Sequence, residues 1–141
     1  IPEDAMPKTV LVVLLSALLS TVTALSAQEA NPDEGGALFR TYCATCHGIE
    51  GRGSGPMAEM MVVDPPDLTQ LAAGNDGTFP VLWVARRIDG RDLVPAHGGP
   101  MPLFGSFFEG SDLPLKLPTG QPMMVSQPLA DLLAWLESIQ E

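Results

Sequence analysis

The apolar residues of this chain recur at helical spacing in segments that follow a polar stretch at residues 28–34. An asparagine N-cap at Asn31 and a proline at the first helical position predict a helix from Pro32 to about Thr45. Apolar residues three and four positions apart predict a last helix from about Gln127 to Gln140, capped by Ser126. The predicted buried faces carry the apolar side chains of both segments: Leu38, Phe39 and Tyr42 in the first, and Leu129, Leu132, Leu133, Leu136 and Ile139 in the last.

The region between these two helices predicts shorter helical pieces separated by loops. A helix is expected between Thr78, as its N-cap, and Gly90, just past its end. Residues 57–63 and 68–72 are expected to form short helical pieces, and Asp67 is the predicted cap of the second. Residues 94–128 hold seven of the fourteen prolines and show no convincing strand pattern. The fold class predicted from the pattern is therefore all-α, small and loop-rich.

The segment from residue 9 to residue 27 is apolar, uncharged and preceded by Lys8. This pattern, with small residues near Ala27, is typical of a secretory signal peptide. Its length is also just sufficient for a membrane-spanning helix, so a retained anchor is the alternative. We therefore divide the chain into residues 1–27, a signal peptide or anchor, and residues 28–141, one domain. In either case we expect a periplasmic domain, soluble or anchored to the inner membrane.

Composition limits the function classes further. The chain has 141 residues, enough for one small domain, with fourteen glycines, fourteen prolines and only 6% aromatic residues. Such a chain buries a modest core by itself. Its formal net charge is −10, which argues against nucleic acid as a partner because no basic surface would neutralise phosphates. The acidic surface would suit docking to a basic patch on a partner protein, and the alternative is an ordinary solvated surface.

The candidate chemistry lies in Cys43-Ala44-Thr45-Cys46-His47. Two thiols at this spacing can add to the vinyl groups of one haem, while the adjoining imidazole binds the iron. The chain has two cysteines, so neither has a disulfide partner elsewhere. A zinc site would need four ligands, and only these three side chains and His97 could serve. A thioredoxin-like redox pair would follow a strand, which the pattern before Cys43 does not predict. The motif therefore predicts covalent haem.

Two further features accompany the motif and its following Gly48. Gly35 and Phe39 stand eight and four residues before Cys43, and Leu132 and Trp135 form an L-x-x-W in the last helix. With them, the chain resembles the class I, mono-haem bacterial cytochromes c over residues 31–140. The resemblance implies a cytochrome c fold, in which crossed N- and C-terminal helices surround one covalently attached haem c. A glycine at such a crossing lets the two backbones approach closely.

The resemblance also covers the run Gly99-Pro100-Met101-Pro102, which is similar to the loop that carries the sixth iron ligand in the family. It implies that Met101 is the axial ligand opposite His47. A thioether is a soft ligand that raises the reduction potential, as suits an electron carrier. Met123 and Met124 also follow a Gln-Pro pair and remain alternatives. His97 would instead give a bis-histidine haem.

The function that the resemblance implies is one-electron transfer in a respiratory or photosynthetic chain, without enzymatic catalysis by this chain alone. The expected partners are a redox protein donor and acceptor. One alternative is a haem c subunit of a larger membrane or periplasmic oxidoreductase, held by residues 9–27 or by residues 109–125. Another is a catalytic or sensing haem with an open sixth position, for which Met101 would not bind the iron.

Overall fold

The structure is a computed structural model, and it describes residues 29–91 and 101–141. Within these residues the chain forms four α-helices, three short 3₁₀ helices and one β-hairpin. The α-helices are α1 (Pro32–Tyr42), α2 (Ala44–His47), α3 (Val81–Asp89) and α4 (Gln127–Ser138); the strands are β1 (Asp112–Lys116) and β2 (Pro122–Ser126); the 3₁₀ helices are Ala58–Met60, Leu68–Gln70 and Ala73–Asn75. The predicted segment at residues 9–27 lies outside the described residues.

Helix α1 begins as its sequence predicts but ends earlier. The Asn31 side chain accepts a hydrogen bond from the Asp33 amide at 3.0 Å, so the predicted N-cap is confirmed. The helix stops at Tyr42 because Cys43 takes φ −116° and ψ −33°, and α2 starts after this break. The expectation of one helix to about Thr45 is therefore wrong. Tyr42, expected on the buried side, is 44% exposed, although its ring contacts that of Phe108 edge-on at 5.5 Å between centroids.

Helices α1 and α4 pack against each other through Gly35. A Cβ atom at Gly35 would lie 1.9 Å from the carbonyl oxygen of Asp131, so only glycine permits this approach. One turn further on, the rings of Phe39 and Trp135 lie 4.2 Å apart between centroids. The predicted pairing of Gly35 and Phe39 with the L-x-x-W of the last helix is confirmed as packing.

The buried core lies mainly on one face of α4. Leu129, Leu132, Leu133 and Leu136 are almost completely buried, as the helical spacing predicts, and Phe39 packs with them. Helix α3 contributes the buried side chains of its inner face: Val84, Ala85 and Ile88. This core holds α1 and α4 together, the first and last helices of the described residues.

The start of α3 differs from its prediction. Thr78 lies in a turn that Asn75 closes, since the Thr78 amide donates to the Asn75 carbonyl at 3.0 Å and the Asn75 side chain donates to the Thr78 carbonyl at 2.7 Å. Phe79 is then buried, and Pro80 is the residue before the helix. Thr78 is therefore not the N-cap. Gly90 does end the helix, with φ +88°.

The sequence predicted an all-α fold, but the structure also contains a β-hairpin. Strands β1 and β2 pair antiparallel, with Leu113 opposite Val125 and Leu115 opposite Met123. Their turn is closed by a hydrogen bond of 2.9 Å from the Gly120 amide to the Leu117 carbonyl. Gly120 has φ +82°, the left-handed conformation that ends a three-residue hairpin loop. The expectation that residues 94–128 contain no strand is wrong for this part.

No helix formed by residues 29–91 and 101–141 combines the length and the apolar character needed to cross a bilayer.

Candidate haem site

The two cysteines and the histidine of the motif lie within a single helical turn. Cys43 precedes α2, and its carbonyl accepts the amide hydrogens of Cys46 at 3.1 Å and of His47 at 2.9 Å. Cys43 and Cys46 are both free thiols and partly buried, whereas His47 is only 8% exposed. The turn thus brings two unpaired sulfur atoms and one buried imidazole together at the end of α1.

The glycine-rich loop after the motif folds back onto α2 and satisfies its carbonyl groups. The amide of Gly53 donates to the His47 carbonyl at 2.7 Å, and the amide of Gly55 donates to the Cys46 carbonyl at 3.1 Å. The Thr45 carbonyl accepts from the Met57 amide at 2.9 Å. These are the carbonyls that a helix end leaves without intrahelical partners. The motif is therefore held by backbone hydrogen bonds to the segment that follows it.

Two glycines are required by this close packing. Gly53 has φ +79°, and a Cβ there would lie 2.2 Å from the Pro65 carbonyl oxygen. A Cβ at Gly55 would lie 2.4 Å from the Thr45 carbonyl oxygen. In both cases the obstacle is backbone, which no change of side-chain rotamer can relieve. Gly53 and Gly55 thus have a specific role in holding the motif.

The electrostatic environment keeps Cys43 as a thiol. Burial, with a smaller contribution from Cys46, raises its pKa to about 11. The described residues also contain no group of three or more His, Cys, Asp or Glu side chains placed to hold a metal ion. His97, the fourth zinc ligand considered from the sequence, lies outside the described residues.

The imidazole of His47 is kept neutral. Burial lowers its pKa, and the backbone of Pro66 offsets part of this shift. Its Nδ1 atom is buried and makes no hydrogen bond to any of the described residues. The backbone of Pro66 is therefore close to the imidazole but is not hydrogen-bonded to it. A neutral imidazole is the form that binds iron. The buried imidazole and the two thiols therefore fit a covalently attached haem.

The chain from Pro66 to Ala72 begins beside His47. It is held in place by the side chain of Gln140, just beyond the end of α4. The Gln140 side chain accepts from the Ala72 amide at 2.8 Å, and it donates to the carbonyls of Leu68 at 2.8 Å and of Leu136 at 2.7 Å. The Leu68 amide in turn donates to the Gly51 carbonyl at 2.7 Å. Sequence reasoning missed Gln140 because a polar residue at the end of an amphipathic helix is usually solvent-exposed.

Asp67, in the same segment, is the N-cap that its sequence position predicts. Its carboxylate accepts from the Thr69 amide at 2.9 Å and from the Thr69 hydroxyl at 2.6 Å. These hydrogen bonds lower the pKa of Asp67, and Arg52 adds a smaller effect. The short helix that it caps is a 3₁₀ helix over Leu68–Gln70, not the longer piece at residues 68–72.

Met101 lies partly buried against the hydrophobic core. The residues after it are fixed to the end of α3, since the Phe104 amide donates to the Ile88 carbonyl at 2.8 Å. Of the two rival methionines, Met123 packs against the core and Met124 is 48% exposed. His97 lies outside the described residues. The role of Met101 as the sixth ligand stays a prediction.

The model of the family described as Cytochrome c matches residues 32–140, a range that includes α1, the motif, Met101 and α4. No curated protein and no solved structure matches the chain. The cofactor of the family is covalent haem c with iron, and Cys43 and Cys46 fit its attachment motif. The chain belongs to the cytochrome c family of haem-based electron-transfer proteins.

Proposed function

We propose that this chain is a class I bacterial electron carrier of a respiratory or photosynthetic chain, with one haem c joined to Cys43 and Cys46. On this proposal His47 and Met101 are the two axial ligands of the iron. The observation that carries it is the single helical turn that joins two unpaired thiols to a buried imidazole. Cys43 and Cys46 would hold the haem by thioether bonds to its two vinyl groups, an addition of each S–H across a double bond that needs no oxidant or reductant.

The bound group supplies one iron that cycles between the ferric and ferrous states. His47 contributes a neutral imidazole. The amide of Gly53 fixes the main chain of His47 by donating a hydrogen bond to its carbonyl. Met101 contributes a thioether, a soft ligand that favours the ferrous state. With His47 and Met101 both bound to the iron, no position would remain for oxygen or peroxide, and this ligand set would favour electron transfer over catalysis on a bound substrate.

The experiment is a comparison of Met101→Ala with Met124→Ala in the holoprotein. We expect the unaltered protein to carry the mass of one haem and to bind no carbon monoxide when reduced at neutral pH. Met101→Ala should bind carbon monoxide stoichiometrically and lose the high potential that a thioether gives. Met124→Ala should behave like the unaltered protein. If Met124→Ala opens the iron and Met101→Ala does not, the ligand assignment is wrong; if the protein lacks one haem mass, the attachment sites are wrong.

A haem c subunit of a larger oxidoreductase is the second candidate. The β-hairpin favours it, because a two-stranded sheet has an unpaired edge on each strand, and Met124 projects into solvent from β2. Either candidate places the haem domain in the periplasm, soluble after removal of residues 1–27 or anchored by residues 9–27. Co-purification from a membrane fraction with a dehydrogenase or oxidase would support the subunit, whereas a free monomer would support the carrier.

A further inference from the structure

An exposed apolar patch follows the glycine-rich loop, and we call Met57, Met60, Val62 and Val63 the proximal patch. Val62 is fully exposed, Met60 is 76% exposed and Val63 is 55% exposed. Four apolar side chains within seven residues are unusual on a surface, where single exposed apolar residues are the norm. Methionine is also well suited to binding surfaces, because its flexible thioether adapts to different contours.

The backbone beneath the proximal patch is held by regular hydrogen bonds. The Met60 amide donates to the Met57 carbonyl at 3.1 Å, and the Met61 amide donates to the Ala58 carbonyl at 3.1 Å. The Ala58 amide donates to the Gly55 carbonyl at 2.9 Å. Ala58 and Met61 are partly buried, while the four patch residues face outward. The 3₁₀ turn over Ala58–Met60 therefore fixes the backbone on which Met57 and Met60 are exposed, and Val62 and Val63 follow directly after it.

The proximal patch adjoins the haem attachment motif. Met57 donates its amide hydrogen to the carbonyl of Thr45, which lies between the two cysteines, at 2.9 Å. Gly55, two residues earlier, donates to the Cys46 carbonyl at 3.1 Å. A protein seated on the patch would consequently lie close to the attachment site, as transfer of an electron between two proteins requires.

The charged side chains within residues 56–64 are all acidic. Glu59 and Asp64 are exposed within and beside it, and residues 56–64 contain no lysine or arginine. The formal net charge of the chain is −10. We propose that the proximal patch is the docking surface for a redox partner whose complementary face is apolar with a rim of lysine or arginine. This proposal rests on the proposed function, because it names where an electron carrier would meet its partner.

Two other occupants fit this charge poorly. A second copy of the chain would bring another acidic patch and another net charge of −10 against the first, and like charges repel. An anionic membrane surface would be repelled for the same reason. The apolar centre with an acidic rim favours a basic protein face over both.

The test measures oxidation of the ferrous holoprotein by two reagents in stopped flow. Tris(phenanthroline)cobalt(III) is an apolar cation that reproduces the chemistry proposed for the partner face, and it accepts one electron from the ferrous iron. Hexacyanoferrate(III) is a hydrophilic anion and reports the intrinsic reactivity of the haem. The patch variant is Met60→Gln with Val62→Thr, and the rim variant is Glu59→Gln with Asp64→Asn. The matched control is Phe107→Gln, which replaces a side chain that is 67% exposed on the segment after Met101.

We expect the patch variant to react about fivefold more slowly with the cobalt complex, as the loss of about 1 kcal/mol of apolar contact implies. The rim variant should lose most of the salt dependence of that rate. Phe107→Gln should not change it, and no variant should slow hexacyanoferrate(III). Unchanged cobalt rates in both variants would overturn the docking surface while leaving the electron carrier intact. Failure of the unaltered protein to react with either reagent would overturn the proposed function itself.

The remaining outcomes separate the other occupants. Sedimentation of the unaltered protein and the patch variant would reveal a dimer, and a dimer that the patch variant loses would assign the patch to a second copy. Co-sedimentation with vesicles of phosphatidylglycerol, lost in the patch variant, would assign it to a membrane. Either result overturns the basic partner face. A monomer that does not bind these vesicles supports it.

Discussion

Replacement of Gly35 by alanine should separate α1 from α4 and destabilise the whole domain. The added Cβ would lie 1.9 Å from the Asp131 carbonyl oxygen, about 1.1 Å inside the 3.0 Å below which real Cβ contacts essentially do not occur. Both sides of this contact are fixed to helical backbone, so the helices must move apart. Overpacking of this kind costs about 3 kcal/mol at the upper end of its usual range. The better helix propensity of alanine returns about 1 kcal/mol, and the net loss is about 2 kcal/mol.

The assay is denaturant unfolding of the holoprotein, followed by far-ultraviolet circular dichroism. In thermal unfolding followed by the same signal, a loss of about 2 kcal/mol should lower the melting temperature by about 10 °C in a domain of this size. Gly36→Ala is the control within the same helix, since its Cβ would meet the Trp135 side chain at 2.8 Å, and that ring can shift. Gly74→Ala is the control outside the contact, because nothing lies within 4 Å of its Cβ.

The order of the three variants tests the reasoning. Gly35→Ala should be the least stable, Gly36→Ala intermediate, and Gly74→Ala within about 0.5 kcal/mol of the unaltered protein. If Gly35→Ala were as stable as Gly74→Ala, the close approach of α1 and α4 at this point would be refuted. A changed denaturant slope would show that the variant altered the compactness of the folded or unfolded state, and the thermal unfolding midpoints would then give the order.

Two further predictions concern the segment that passes His47. Gln140→Ala should lower the free energy of unfolding by about 2 kcal/mol, because it removes three hydrogen bonds and leaves the Ala72 amide and the Leu68 carbonyl without these partners. Gln140→Glu keeps the acceptor for the Ala72 amide but sets a carboxylate oxygen against the Leu68 and Leu136 carbonyls, so it should lose at least as much, and an unchanged stability would contradict the donor role of the amide. Asp67 has a folded-state pKa below its ordinary value, so its stabilising effect is present above the unfolded pKa and is lost as the pH falls through the folded one. Asp67→Asn should therefore be less stable at pH 7 and approach the unaltered protein in denaturant midpoint below about pH 4, and a constant difference would contradict this.

The elements that the sequence predicted well are those whose signals are local. The start of α1 depends on Asn31 and Pro32, which act within one turn of each other. The buried stripe of α4 depends on spacing alone, and Leu129, Leu132 and Leu136 follow it. The C-x-x-C-H motif is also local, because one helical turn brings its three functional side chains together.

The hairpin was missed because its prolines obscured an alternating pattern. Leu113, Leu115 and Leu117 alternate with polar residues and proline, and Leu113 is buried. Proline removes a ladder donor and argues against a central strand. Both strands here are edge strands, so Pro114 can leave its nitrogen outside the ladder. The Pro-Thr-Gly turn, with Gly120 in the left-handed conformation, was the signal that could have identified the hairpin.

The remaining contacts of the site join residues far apart in the chain, and no local rule finds them. Asp131 is almost completely buried and accepts the Asn31 amide at 2.7 Å, so α4 holds the start of α1. Trp135 packs on Phe39, and Gln140 holds the segment beside His47. Three points along α4 and just beyond it therefore support the start of α1, its centre and the segment beside the imidazole. Because α4 supports all three points, the position of His47 depends on how α4 packs in the domain.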